Sequence, residues 1–382
     1  MFNRLYLHIP FCQRKCDYCA FVSMQSSQHA IDAYVETLLG EMHLAHAEYG
    51  AGTGLDSIYL GGGTPSLLSP HQVARFLEHT SLLFGWTIQP EITLEANPGT
   101  VDIQRLAGFR AAGVNRLSLG VQSFNDSLLV RLGRIHTAQQ VSETVSAARE
   151  AGFDNLGLDL IHGLPGQTPE MWRHDLLQAL RCEPEHISVY GLTIEEGTPF
   201  SHSYPAGSPL LPDEDVSADM FEVADATLTA AGHEHYELAN YARPGFQSRH
   251  NSGYWKRDGY LGLGIASHSF LRKGTYGVRF STTMDMEDYA AAISSGKLPH
   301  RDMTHLSQED AMAEFMFLGL RLAEGIMIRE FEDNFGVSPL DVYAPTFEML
   351  TKAGLIMVDA KRVRLTLAGM LLSNQVFSRF LP

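Results

Sequence analysis

The 382-residue chain is poor in cysteine, with four, and in tryptophan, with three. Three of the four cysteines crowd into one short segment, so the spaced framework of a disulfide-stapled secreted domain is excluded. No apolar run reaches the roughly 18 residues that a membrane-spanning helix requires. Positive charge is also scarce: 28 Lys+Arg against 44 Asp+Glu leaves a net charge of −16. With no basic stripe, non-specific nucleic-acid binding and an electrostatic hold on anionic membranes both drop out. There is no long repeat and no low-complexity tract. The first residues lack a charged-then-apolar leader and enter the cysteine segment within twelve residues, so a reducing, cytoplasmic setting is expected. What remains, 45% hydrophobic and 19% charged, is an ordinary globular composition long enough for two or three domains with cores.

The cysteines that are present stand at Cys12, Cys16 and Cys19, a C-x3-C-x2-C run. Three thiolates on one loop can hold three irons of a 4Fe–4S cluster and leave the fourth iron open to a ligand, whereas such clusters normally take four thiolates. The alternative is zinc held by the three cysteines with His8 as a fourth ligand, although structural zinc usually joins two separated ligand pairs. Cys182 lies outside any motif and reads as a small buried residue.

Short apolar strands alternate with longer amphipathic stretches through about residue 235. The strand candidates are Leu5–Ile9, Ser57–Leu60, Glu91–Glu95, Arg116–Gly120, Asn155–Ile161 and His186–Tyr190. Helical patterns at Ile31–Tyr49, Pro70–Phe84, Ala138–Ala151 and Glu170–Leu180 lie between them. Six βα units in series imply a parallel sheet with right-handed crossovers, either a partial (βα)6 TIM barrel or an open doubly wound sheet. Either way, ligands belong at the carboxyl ends of the strands. The glycine-rich turn Gly61-Gly62-Gly63-Thr64-Pro65, Glu95, Gln122 and Asp159 fall there or within the strands. Residues 236–300 read as a β-rich extension and 301–382 as three helices followed by a hairpin, a winged-helix-like domain. The acidic balance turns that last domain away from DNA and toward packing or protein docking.

The block Y-x-H-I-P-F-C-x3-C-x-Y-C, from Tyr6 to Cys19, resembles the radical S-adenosylmethionine (SAM) superfamily. Within it, the block is most similar to the branch of the oxygen-independent coproporphyrinogen III oxidases and their relatives. The resemblance implies the partial barrel, a 4Fe–4S cluster on Cys12, Cys16 and Cys19, and SAM on the open iron. Carried over motif by motif, it assigns SAM contacts to Tyr6, Tyr18, Gly62, Gly63, Thr64, Glu95, Gln122, Arg134 and Asp159. A carboxylate can take ribose hydroxyls, and Arg134 can pair with the carboxylate of SAM.

Two departures separate the chain from the oxidases proper. Phe21 stands where they carry a further cysteine, and only eleven residues precede Cys12 where they have an extension. In addition, His250-Asn251-Ser252-Gly253-Tyr254-Trp255 resembles the H-N-x-x-Y-W haem motif of the HemW-type haem chaperones. That resemblance implies His250 as an axial nitrogen, with Tyr254 and Trp255 against the ring. The expected function is therefore haem binding and delivery to an apo-haemoprotein of unknown identity, with an electron donor if SAM is cleaved. Oxidative decarboxylation of coproporphyrinogen III is the alternative.

Overall fold

The computed structural model describes residues 1–25 and 27–382. Six parallel strands form its centre: β1 (Arg4–Ile9), β2 (Leu55–Gly62), β3 (Trp86–Ala96), β4 (Arg116–Gln122), β5 (Leu156–His162) and β6 (His186–Gly191). Helices Gln28–Tyr49, Pro70–Phe84, Ile103–Ala112, Ala138–Glu150 and Pro169–Arg181 carry the crossovers. Their starts are written in the local sequence. Ser69 and Gln72 close a reciprocal capping box around Pro70, and Thr137 with Gln140 does the same two units later. Along β1, Leu5, Leu7 and Ile9 are fully buried in the main core beside Leu38 and Met42. Strand alternation therefore turns Tyr6 and His8 to the other face. That second face carries the polar and aromatic residues of the site.

The β-rich segment expected over residues 236–300 does not stand apart. Its strands lengthen the same sheet at both edges. β7 (Glu234–Glu237) and β8 (Asn240–Ala242) join beyond β6, while β9 (Tyr260–Leu263) runs parallel to β1. β10 (His268–Leu271), β11 (Val278–Thr282) and β12 (His300–His305) continue outward, giving this sheet twelve strands among the described residues. Leu261, Leu263, Phe280 and Tyr289 share the main core. Strands this short cannot bury a core alone, so they borrow the one the parallel units build. β12 also crosses the expected boundary at residue 300.

The C-terminal part is winged-helix-like, as expected. Helices Gln308–Gly319, Ile328–Phe335 and Ala344–Lys352 pack on a small sheet ordered β13 (Ile326–Met327), β15 (Arg362–Leu365), β14 (Ile356–Val358). Phe331, Phe335, Phe347 and Phe380 form a separate core there. Glu314, from its first helix, pairs with Arg257 at 3.1 Å and with Arg279 of β11, tying this domain to the sheet edge. Among the described residues no helix is long and apolar enough to cross a membrane.

Candidate functional site

β1 ends at Ile9 and the chain passes directly into the cysteine loop. That loop is pinned at several points. Cys12 N–H donates to Met24 O at 3.0 Å, Asp17 N–H to Leu132 O at 3.1 Å, and Phe200 N–H to Asp17 O at 3.0 Å. Cys12, Cys16 and Cys19 are free, half-buried thiols. Burial pushes the Cys19 thiol up, helped by the neighbouring Cys16 and Cys12. The glycine turn after β2 is hydrogen-bonded to the root of this loop, Gly63 N–H to Ile9 O at 2.8 Å and Thr64 N–H to Phe11 O at 2.7 Å. A Cβ on Gly63 would lie 2.7 Å from Phe11 O, and one on Gly62, whose φ is +110°, 2.6 Å from the His8 ring. These glycines are needed first for the contact between β2 and the cysteine loop.

A polar chain runs from one cysteine to another. Thr64 Oγ1 donates to Cys12 Sγ at 3.5 Å and accepts from Asn97 Nδ2 at 2.9 Å. Asn97 Oδ1 accepts from Arg134 Nη2 at 2.5 Å, and Arg134 Nη1 reaches Cys16 Sγ at 3.6 Å. The second donor group of Arg134 is anchored on Gly120 O at 2.5 Å, while its buried Nε has no partner among the described residues. Two of the three sulfurs thus each face a hydrogen-bond donor. Tyr18 sits between Cys16 and Cys19 with its ring 6.2 Å from that of Phe200, and burial raises its phenol.

His8 is not placed as a fourth metal ligand. Its two ring nitrogens are engaged by Tyr6 Oη at 3.1 Å and Val22 O at 3.0 Å, which removes the mononuclear zinc alternative that used it. Tyr6 itself stacks on Tyr59, ring centroids 6.1 Å apart. Tyr59 Oη donates to Glu95 Oε1 at 2.8 Å, and Gly62 N–H donates to Glu95 Oε2 at 3.1 Å. Burial dominates at Glu95 and lifts its carboxyl to about 7. Asp159 accepts twice from Ser118 Oγ, at 3.1 and 3.3 Å, and burial raises it too. Gln122 ends β4 with φ +67°, a left-handed backbone that non-glycine residues rarely hold. It marks a register shift between β4 and β5. The structure thus gathers Tyr6, Tyr18, Gly62, Gly63, Thr64, Glu95, Gln122, Arg134 and Asp159 around the strand ends and the face they share. Asn97, Tyr59 and Ser118 were not singled out from sequence. Asn97 had a signal, since it stands two residues after Glu95 and just before Pro98.

The His250 motif sits on a short helix against β2. Arg249–Trp255 is a short helix capped by Ser248 and by Glu91, whose carboxylate accepts from Arg249 N–H and His250 N–H at 2.9 Å each. His250 is 1% exposed. Its Nδ1 is 2.8 Å from Ser57 Oγ and its Nε2 is 2.7 Å from Tyr254 Oη. Both ring nitrogens are therefore taken, and burial drives its pKa well below the usual range. In this structure His250 is a core residue that seats the helix on β2 and holds Tyr254. Tyr254 and Trp255 do face open space. They line a cavity of about 800 Å³ together with Tyr6, His8, and Phe21 and Val22 from the cysteine loop. The guanidinium of Arg321 lies 4.2 Å over the Trp255 ring, whose Nε1 has no partner among the described residues.

Comparison with known proteins adds to this geometry. The radical SAM superfamily pattern matches residues 6–179, and the HemN C-terminal domain pattern matches residues 306–372. The chain is 37% identical to the haem chaperone HemW of Lactococcus lactis, covering 99% of this chain and 97% of that one. It is 38% identical to the haem chaperone HemW of Escherichia coli, covering 99% and 97%. The mitochondrial radical S-adenosyl methionine domain-containing protein 1 of Bos taurus is 33% identical over 96% of this chain and 84% of its own. Among solved structures, the coproporphyrinogen III oxidase HemN of Escherichia coli superposes with a TM-score of 0.85 at 25% identity, over 99% of this chain and 90% of that one.

Proposed function

The chain belongs to the HemW-type haem chaperones of the radical SAM superfamily, and on that premise we propose that it binds haem and delivers it to an apo-haemoprotein. The observation that carries this reading is the cavity beside the cysteine loop. At about 800 Å³ it falls within the roughly 300–1,000 Å³ of small-molecule sites, and the aromatic rings on its wall suit a large flat ligand. Cys12, Cys16 and Cys19 would hold a 4Fe–4S cluster, which their free state on one pinned loop and the donors from Thr64 and Arg134 support. Bound there, such a cluster supplies an electron and an open iron for SAM.

The chain's own residues supply the rest. Arg134, steadied by Asn97 and Gly120, offers a guanidinium for a carboxylate. Glu95, near neutrality in its affinity for a proton, and Asp159 offer acceptors for hydroxyl groups. Tyr6, stacked on Tyr59, offers a flat aromatic face. An electron donor is required if SAM is cleaved, and an oxygen-sensitive cluster suits a reducing cytoplasm.

A second reading, oxidative decarboxylation of coproporphyrinogen III, is favoured by the HemN likeness along nearly the whole chain. Phe21 weighs against it: where the oxidases carry a cysteine, this chain puts an aromatic ring, 68% exposed, on the cavity wall. The two readings separate in one experiment. Cluster-loaded protein is given haem in one vessel, and coproporphyrinogen III with SAM and reductant in another. The chaperone reading expects a shifted Soret band in the first and no protoporphyrinogen in the second. Stoichiometric decarboxylation would reverse the order of the two readings.

A further inference from the structure

A second cavity opens where the first residues of the chain, the turn between β10 and β11, and the C-terminal domain meet. Its volume is about 460 Å³, and Arg257, Arg272, Thr275 and Phe335 are among the residues on its wall. We infer that it binds a small phosphorylated organic ligand, whose phosphate is met by Arg257 and Arg272. None of the residues assigned to the cluster, SAM or haem lies on that wall.

The chain carries a net charge of −16, yet positive charge gathers here. Arg257 is buried, with its side chain 11% exposed. Its Nε donates to Glu314 Oε2 and its Nη2 to Tyr276 O, both at 3.1 Å, which leaves Nη1 uncommitted. Glu314 also answers Arg279, so one carboxylate serves two guanidiniums. Asp258 lines the cavity as well, but Arg4 holds its carboxylate at 3.0 Å. Arg272 is exposed, and among the described residues its side chain makes no hydrogen bond or ion pair. Burial first, and then Arg279 and Arg272, lower Arg257 below its ordinary range against the pull of Glu314. A buried guanidinium with too little negative charge around it gains from an incoming anion.

The groups beside it suit a phosphate. Arginine forks match phosphate oxygens two at a time. Thr275, in the turn between the two arginine-bearing strand ends, adds a hydroxyl with no partner among the described residues. The volume exceeds what a lone phosphate needs and falls within the roughly 300–1,000 Å³ of small-molecule sites. Aromatic rings line the remainder: Phe270 lies 5.1 Å under the Arg257 guanidinium, and Tyr276 stacks on Phe335 with centroids 6.3 Å apart. Phe335 ends the helix Ile328–Phe335, so a ligand here bridges the sheet edge and the C-terminal domain.

The test is calorimetric titration of full-length, cluster-loaded protein with ATP, AMP, pyrophosphate, orthophosphate, citrate and adenosine. Wild type should bind ATP or AMP, more weakly as salt rises, and should not bind adenosine. Arg272→Glu, a change at an exposed side chain, should weaken that binding by about tenfold or more. Arg329→Glu makes the same change of charge on the helix Ile328–Phe335 but off the cavity wall, at a side chain 87% exposed. It should bind as wild type does. Equal weakening in the two variants would reduce the effect to diffuse surface charge and overturn the assignment. So would adenosine binding, citrate binding more tightly than any phosphate, or no heat with any of these compounds. Orthophosphate binding as tightly as ATP and AMP would overturn the organic ligand. Iron content and haem titration should be the same in all forms, so failure here leaves the chaperone reading intact.

Discussion

The mouth of the sheet has two flanks that are built in opposite ways. On the cysteine flank, Cys12, Thr64, Asn97, Arg134 and Cys16 form one connected chain of polar contacts. The backbone beneath it is stitched at Gly63, Thr64 and Asp17. On the cavity flank, His268 and Met284 are exposed, Arg301 shares an exposed pair, and Trp255 Nε1 has no partner among the described residues. The difference follows from what each flank is suited to hold. A small, multiply charged cofactor gains from donors fixed beforehand, since little ordering is left to be done on binding. A large apolar plane gains mainly from buried area, which needs an open cleft and few fixed bonds. Separation of the two flanks is therefore the property to break.

The largest effect should come from the cysteines. Cys12→Ser, Cys16→Ser or Cys19→Ser should each reduce reconstituted iron and sulfide to background, because three thiolates leave none in reserve. The same variants should titrate with haem as wild type does. Parallel loss of haem binding would show that the flanks are one site. Cys182→Ser, at the C-terminal cap of Pro169–Arg181 and packed against the main core, should keep a full cluster.

Gly63→Val comes next. The family resemblance makes this glycine turn a SAM contact. In the structure the added carbon meets Phe11 O at 2.7 Å and Ile9 O at 2.9 Å. These are backbone atoms of the segment that leads into Cys12 and cannot swing aside, so overpacking of roughly 1–3 kcal/mol falls on the cysteine loop. Cluster occupancy should drop several-fold along with SAM binding, again with haem binding retained. A full cluster with SAM binding lost would return the turn to a purely ligand-facing role.

These contrasts also mark what the sequence could tell. The parallel core was legible because Leu5, Leu7 and Ile9 alternate with Tyr6 and His8, and because capping boxes announce the helices. The cysteine triplet was legible because its ligands are local. The enclosure of the His250 ring was not, since nothing local to its motif announces it. Its surroundings come from Ser57, 193 residues away, and Glu91, 159 residues from its backbone. β12 escaped notice because an edge strand with almost every side chain exposed has no period to read.

Protonation offers a third contrast, between two buried groups near the strand ends. Burial, and then Arg134, lowers His136 to about 4. The unfolded chain therefore takes up this proton first, and the contribution of His136 is whole above about 6.5 and drains between there and about 4. Burial lifts Glu95 to about 7, so the sign reverses: its contribution is complete below about 4.5 and is lost as pH rises through 7. Urea denaturation across this range should show His136→Gln gaining on wild type as pH falls, by on the order of 3 kcal/mol at the acid limit. Glu95→Gln should lose ground to wild type over the same descent. Curves that stay parallel in either pair would mean that the group does not titrate with folding.

The smallest effect is expected at Asn97, and it tests the connection itself. Asn97 accepts from Arg134 and donates to Thr64, so Asn97→Ala removes the middle of the chain between Cys12 and Cys16 without touching a thiol. Each hydrogen bond lost costs about 1 kcal/mol net. Arg134 keeps its bond to Gly120 O and its approach to Cys16, so the guanidinium stays in the site but is held less firmly. SAM affinity, followed by equilibrium dialysis with labelled ligand, should fall about tenfold, the equivalent of 1.4 kcal/mol. Iron and sulfide content should stay near wild type, and haem binding should not change. If the cluster is lost while SAM affinity per remaining cluster holds, the chain serves the thiolates and not the ligand. If haem binding weakens as well, the polar flank reaches across the mouth, and the two flanks are mechanically joined through β1, where Tyr6 and His8 face the cavity while Ile9 leads to the cysteines.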